Sequence, residues 1–184
     1  MPKNKKKILE KIIRFEFEMF ENVRSTQPSL CQENPDTFKL MRKMNHYALS
    51  YSTLKSYLKD LSSAKAEGRN LMTEKYALMN NLIPPLKMNP LIQKIVFAES
   101  EWMSELSNRY PLSVKYNPLY FTKYLSCELE TYSDISIECY YKDIQIAKGN
   151  DISFAKVRFE YLINELGYSS LEEFELKKKQ SKND

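Results

Sequence analysis

Apolar residues recur along this chain at intervals of three and four, the spacing that gathers side chains on one face of an α-helix, and no stretch alternates as a half-buried strand would. The pattern predicts helices over 5–24, 35–49, Ser50 or Ser52 to about 66, 69–82, 90–107, 120–147 as one long region in which Ser133 is a candidate break, and 152–166, then a short one after Ser169 or Ser170. Asn34-Pro35 and Asn89-Pro90 each place a capping side chain before a proline suited to the first helical turn. Gly68, Pro84-Pro85, Gly149-Asn150-Asp151 and Gly167 mark joints and ends. Residues 25–34 read as a loop and 108–120 as an irregular crossing. The expected fold is all-α, a single compact bundle of seven to eight helices. One domain spans 1–184, with a folded body over 8–176 and basic, frayed ends at 1–7 and 177–184.

The stripes are not purely apolar. At about 100° per residue, Ile8, Ile12, Phe15, Met19, Phe20 and Val23 form one stripe, and Glu16 lies at its centre. Glu99 is central to the stripe Leu91, Ile92, Ile95, Val96, Trp102, Met103 and Leu106. Glu128 sits among Phe121, Leu125, Tyr132, Ile135, Cys139 and Ile146, and Lys75 among Leu71, Met72, Tyr76, Leu78, Met79 and Leu82. An unpaired buried charge costs several kcal/mol, so these groups must pair, neutralise or bind something. Lys75 neutralises one carboxylate and Arg69 is placed to neutralise a second; the third is left for a proton, a metal or a cationic ligand group. The expectation is an internal polar pocket with Glu16, Glu99 and Glu128 as catalytic carboxylates and Arg69, Asn70, Glu74, Lys75 and Tyr132 as ligand-contacting groups. The alternative is a structural ion network with no ligand, in a non-catalytic accessory module.

Composition narrows the chemistry. Of 184 residues, 42% are hydrophobic and 12% aromatic, enough for one substantial core, and only 3 glycines argue against a turn-rich β fold. The net charge of +4 comes from the ends: Lys3, Lys5, Lys6 and Lys7 carry +4 and residues 177–184 carry +3, leaving 8–176 at −3. With no basic stripe through the body, nucleic acid is not an expected partner. No apolar run reaches the roughly 20 residues of a membrane span, and charged residues interrupt the N-terminal apolar stretch, so the expected location is cytoplasmic. Cys31, Cys127 and Cys139 form no CxxC pair and read as free thiols. His46, the single histidine, falls off the apparent stripe of its helix and reads as an exposed or capping residue, which leaves a carboxylate-bridged di-metal site without its histidines. A single hard cation held by oxygens stays open, and the cofactor is unknown from the sequence. No Gly-rich phosphate loop occurs, and the run Arg69-Asn70-Leu71-Met72-Thr73-Glu74 has a glutamate where the Arg-Asn-x-x-x-His signature of the helical HEPN ribonucleases needs histidine.

Several segments together resemble a bacterial family known as domain of unknown function four-one-two-five: Glu16–Phe20, Cys31-Gln32 with Pro35-x-Thr37-Phe38, Glu67–Tyr76, Ile95-Val96-x-x-Glu99-x-x-Trp102, and Glu128–Ser133. The resemblance covers about 8–150 and its most specific part is the middle segment. It implies one compact domain and no particular activity; some longer members carry a nucleotidyltransferase-like region, which this chain lacks. Its oligomeric state is not legible.

Overall fold

The computed structural model describes residues 1–23 and 34–181, and among these it contains nine α-helices and no strand. They are α1 (Lys3–Glu21), α2 (Pro35–Tyr47), α3 (Tyr51–Ala66), α4 (Leu71–Met79), α5 (Pro90–Arg109), α6 (Pro118–Glu130), α7 (Asp134–Gly149), α8 (Phe154–Glu165) and α9 (Leu171–Gln180). The expected all-α bundle is present, with more helices than seven to eight. The predicted loop at 25–34 and Cys31 lie outside the described residues, apart from Asn34.

The extra helix arises where 120–147 divides. Thr131 closes α6, and the Ser133 hydroxyl accepts from the Ser136 backbone to open α7. The break resets the helical phase. Ile135 and Ile146, placed on a continued stripe, are exposed, while Ile137, Tyr140, Ile144 and Ala147 turn inward. Leu82 is likewise exposed rather than core-facing, because α4 ends at Met79 and Asn81 takes a left-handed turn (φ 55°). The crossing at 108–120 conceals a third Asn-Pro start: the Asn117 side chain accepts from the Tyr120 backbone and Pro118 begins α6. Ser50, Asn70, Ser153 and Ser170 cap their helices in the same way.

Two helices act as hubs. α1 packs against α2, α3 and α4, and α5 packs against α6, α7 and α8. The two groups are joined by α2 on α8, α3 on α7 and α4 on α6, and α9 leans on α8. One continuous hydrophobic core runs through the assembly, from Ile12, Leu54 and Leu61 to Ile95, Leu129 and Ile163. The burial of so many aliphatic and aromatic side chains, at about 1.5–3 kcal/mol each, is the main driving force for this arrangement. Each hub also carries one glutamate into that core: Glu16 on α1 and Glu99 on α5, both with no exposed surface.

Candidate functional site

Glu16 meets an arginine that its own helix does not supply. Phe38, Arg42 and His46 are four apart on α2, so one face of that helix presents a guanidinium and an imidazole between apolar neighbours. The Arg42 Nε and Nη2 donate to the two oxygens of Glu16 at 2.9 and 2.6 Å. Its Nη1 and Nη2 donate to the two oxygens of Glu128 at 3.0 and 2.9 Å, and Nη1 also reaches the Tyr124 hydroxyl at 3.2 Å. All five guanidinium N–H groups are thereby used, and one planar fork joins two carboxylates.

The remaining lone pairs are filled from other helices. The Lys75 Nζ on α4 donates to Glu128 at 3.1 Å and to Tyr124 at 2.9 Å. Tyr57 on α3 donates to Glu16 at 2.8 Å, and Tyr132, just past α6, donates to Glu128 at 3.2 Å. The rings of Tyr57 and Tyr132 stack with centroids 4.1 Å apart. The His46 Nε2 lies 2.8 Å from Glu16 Oε1 and 3.1 Å from Arg42 Nη2. Because both Nη2 hydrogens are committed to carboxylates, the imidazole is assigned Nε2–H and donates to Glu16.

The charges balance: Glu16 and Glu128 against Arg42 and Lys75. Burial alone would raise both carboxyls, but the Arg42 charge, aided by His46 at Glu16 and by Lys75 at Glu128, outweighs it. Glu16 is held down at about 2 and Glu128 well below the usual carboxylate range. Burial would lower Lys75, yet Glu128 and Tyr124 raise it. Burial pushes the Tyr57 and Tyr132 hydroxyls well above their ordinary value, with Glu16 reinforcing the shift at Tyr57 and Tyr57 and Glu128 reinforcing it at Tyr132.

Glu99 belongs to a second cluster. The Arg158 Nη1 on α8 donates to it at 2.7 Å, Tyr140 on α7 donates to it at 2.7 Å, and Arg158 Nη2 donates to the Tyr140 hydroxyl at 2.8 Å. Each hub glutamate thus finds an arginine on a flanking helix and a tyrosine on another. Between the clusters lies a cavity of about 60 Å³ touched by His46, Tyr124, Glu128 and Tyr132 from one side and by Tyr140 and Arg158 from the other.

The eight residues singled out in the sequence therefore divide. Glu16, Glu128, Lys75 and Tyr132 converge; Glu99 stands in the second cluster. Arg69 does not neutralise a buried carboxylate. It lies on the surface, with its Nε and Nη2 each 2.8 Å from an oxygen of Glu74 and its Nη1 3.3 Å from Glu67. Asn70 is a structural cap that accepts from the Thr73 backbone and donates to the Met19 carbonyl at 2.7 Å. His46 is buried, not exposed or capping, because it belongs to the stripe of Phe38, Arg42 and Leu49. Arg42 and Arg158 stand outside the four stripes that carry Glu16, Lys75, Glu99 and Glu128, on the apolar faces of α2 and α8. The same arithmetic places Arg42 between Phe38 and His46, and Arg158 between Phe154 and Ala155, all of them buried.

Above the first cluster a surface groove of about 700 Å³ runs between α3, α4, the 86–87 segment and the α6–α7 junction. Arg69, Glu74, Asp60, Lys87 and Tyr132 line it. Among the described residues, no group of three or more His, Cys, Asp or Glu side chains is arranged to hold a metal ion, and no helix is long and apolar enough to cross a membrane.

A family described as "Protein of unknown function (DUF4125)" matches the chain over residues 6–176. No curated protein and no solved structure matches it.

Proposed function

The chain belongs to this family of unknown function, and we propose that it is a non-catalytic helical module in which the buried Glu16–Arg42–Glu128–Lys75 cluster is a structural tie between helices. One observation carries this reading. Every buried carboxylate of the cluster is matched by a buried cation through short hydrogen bonds, and both are held ionised far below neutrality. A general acid or base works best with a pKa near the working pH, and a carboxylate near 2 is a weak base and no acid at neutrality. The metal alternative also loses its donors, since the oxygens of Glu16 and Glu128 already accept from Arg42, Lys75 and tyrosines.

The direction of a stability change tests the proposal without knowledge of any substrate. Removing one partner of a buried ion cluster costs about 3–5 kcal/mol, because it strands the opposing charge. A carboxylate retained for catalysis instead burdens the fold, and its neutral isostere leaves stability unchanged or raises it. Glu128→Gln is expected to lose several kcal/mol in urea unfolding; a gain in stability would refute the structural role.

A second reading places a small polar ligand in the surface groove. Its volume of about 700 Å³ falls in the range of small-molecule sites, and its lining mixes carboxylates with Lys59, Arg69 and Lys87. That mixture suits a zwitterion such as a free amino acid. Thermal-shift titration with a panel of free amino acids checks it: a concentration-dependent rise lost in Arg69→Ala supports the groove, and no rise with any member rejects this ligand class.

A further inference from the structure

We propose that the outward face of α5 is a self-association surface, on which a second copy of this chain packs antiparallel about Phe97. The inference goes beyond the structural role given to the buried cluster and uses none of its residues.

Helices α5 and α7 lie side by side and run in the same direction. The Asn89 amide donates to Asp134 at 3.0 Å where both begin, the Lys94 ammonium lies 5.6 Å from the centre of the Tyr141 ring, and Lys148 pairs with Glu101 at 3.0 Å further along. Between them runs a surface groove of about 500 Å³, bounded by Lys94, Phe97 and Ala98 on α5 and by Tyr141, Ile144 and Lys148 on α7. Ala98 and Ile144 are buried, which gives the groove an apolar base. Phe97 stands at its edge with 64% of its surface exposed and leaves the groove open.

A lone exposed apolar side chain is ordinary on a protein surface. Here a large ring stands beside a recess that its own chain does not fill. Positions 94, 97, 98 and 101 are spaced i, i+3, i+4 and i+7, the four corners of a hole that receives one side chain from a facing helix. One copy therefore carries both the knob and the hole. A two-fold axis beside Phe97 seats each knob in the other copy's hole, and such an interface closes as a dimer.

Charge selects this occupant over others. On the exposed stripe of α5, Lys94 lies one turn before Phe97, and Glu101 and Glu105 lie one and two turns after it. Among the described residues neither Lys94 nor Glu105 has an ion-pair partner, and Glu101 is 45% exposed beside Lys148. An acidic helix laid on this face would meet Glu101 and Glu105, and a basic one would meet Lys94 and Lys148. A second copy carries both signs in the order required. Packed antiparallel, each Lys94 comes over the acidic end of the other α5; packed parallel, like charges would face each other. With one aromatic anchor per chain inside a polar rim, the interface belongs to the small, weak class.

Sedimentation equilibrium of the full chain, from about 5 µM to about 1 mM, spans the range in which a weak interface populates both states. The mass is expected to rise from that of one chain toward that of two. Phe97→Asp is expected to raise the dissociation constant by about tenfold or more. Because this side chain is exposed, circular dichroism at 222 nm should be unchanged. Mixing tests the charge order. Lys94→Glu and, separately, the double variant Glu101→Lys, Glu105→Lys are each expected to stay single chains, since like charges now meet across the axis. Mixed together, they are expected to associate one to one, because every swapped charge again faces its opposite. Adding Phe97→Asp to both should abolish that mixed dimer, which separates docking from general attraction between oppositely charged proteins. A wild-type chain that stays single across the whole range overturns the proposal. So does a dimer unaffected by Phe97→Asp, or a mixture of the charge variants that fails to associate.

Discussion

Replacing Arg42 by methionine removes the one group that touches both buried carboxylates. Methionine fills most of the same volume, so the change is electrostatic more than steric. Five donor contacts disappear, four of them to carboxylate oxygens between 2.6 and 3.0 Å. Glu16 and Glu128 are then left beside each other with only Lys75 as a full counter-charge. Glu16 keeps neutral donors from Tyr57 and His46, which soften the loss. The cost of breaking such a buried cluster is about 3–5 kcal/mol. For a chain of this size, each kcal/mol moves the midpoint by about 2–4 °C, so the expected fall is about 6–20 °C. Circular dichroism at 222 nm during heating at neutral pH, paired with urea unfolding, reads it. The double variant Arg42→Met, Glu16→Gln should recover much of the loss, since Glu128 keeps Lys75 as its partner and no charge is stranded. A fall of under about 1 kcal/mol for the single variant, within the range of an exposed pair, would refute the reasoning.

Acid unfolding carries the signature of the same charges. A carboxyl lowered on folding contributes stability that is fully present above its unfolded value and is lost as pH falls through its folded value. For Glu16 the window runs from 4.5 down to about 2, and its contribution is about 3 kcal/mol. Wild type should therefore lose stability across that window more steeply than Glu16→Gln in parallel denaturation curves; parallel slopes would remove Glu16 from the account. In the 66–76 segment, Arg69→Ala should cost under about 1 kcal/mol, as an exposed ion pair does. Asn70→Ala should cost about 1–2 kcal/mol, because it removes the α4 cap and the bond to the Met19 carbonyl, and thermal melts of the two variants separate these roles.

Much of the architecture was legible because its signals are local. Asn34-Pro35 and Asn89-Pro90 mark real helix starts, and Gly68 does occupy a left-handed turn between α3 and α4 (φ 69°). The stripes correctly send Glu16, Glu99, Glu128 and Lys75 inward, since a helix face is a matter of spacing alone. Errors appear where phase is lost. Across Thr131–Ser133 the α6 stripe cannot be extended, and Ile135 and Ile146 fall on the solvent side. Partners were less legible than burial. Arg42 is 26 residues from Glu16 and 86 from Glu128, and nothing local ties them. Proximity in sequence instead suggested Arg69, but Arg69 precedes the first turn of α4 and turns to Glu74 on the surface.

That misassigned arginine decides the functional argument. With Lys75 and Arg69 as the only cations, three buried carboxylates leave one negative charge over, and a ligand or metal is needed inside the protein. With Arg42 and Arg158 counted, Glu16, Glu99 and Glu128 meet Arg42, Lys75 and Arg158 one for one. The two clusters then have no unpaired carboxylate to offer a ligand. The groove above Tyr132, where Arg69 and Glu74 stand in solvent reach, lies outside the buried cluster. Tyr132 links the two levels: it lines the groove and donates to Glu128 beneath it, so the shape of the groove depends on the buried cluster being intact.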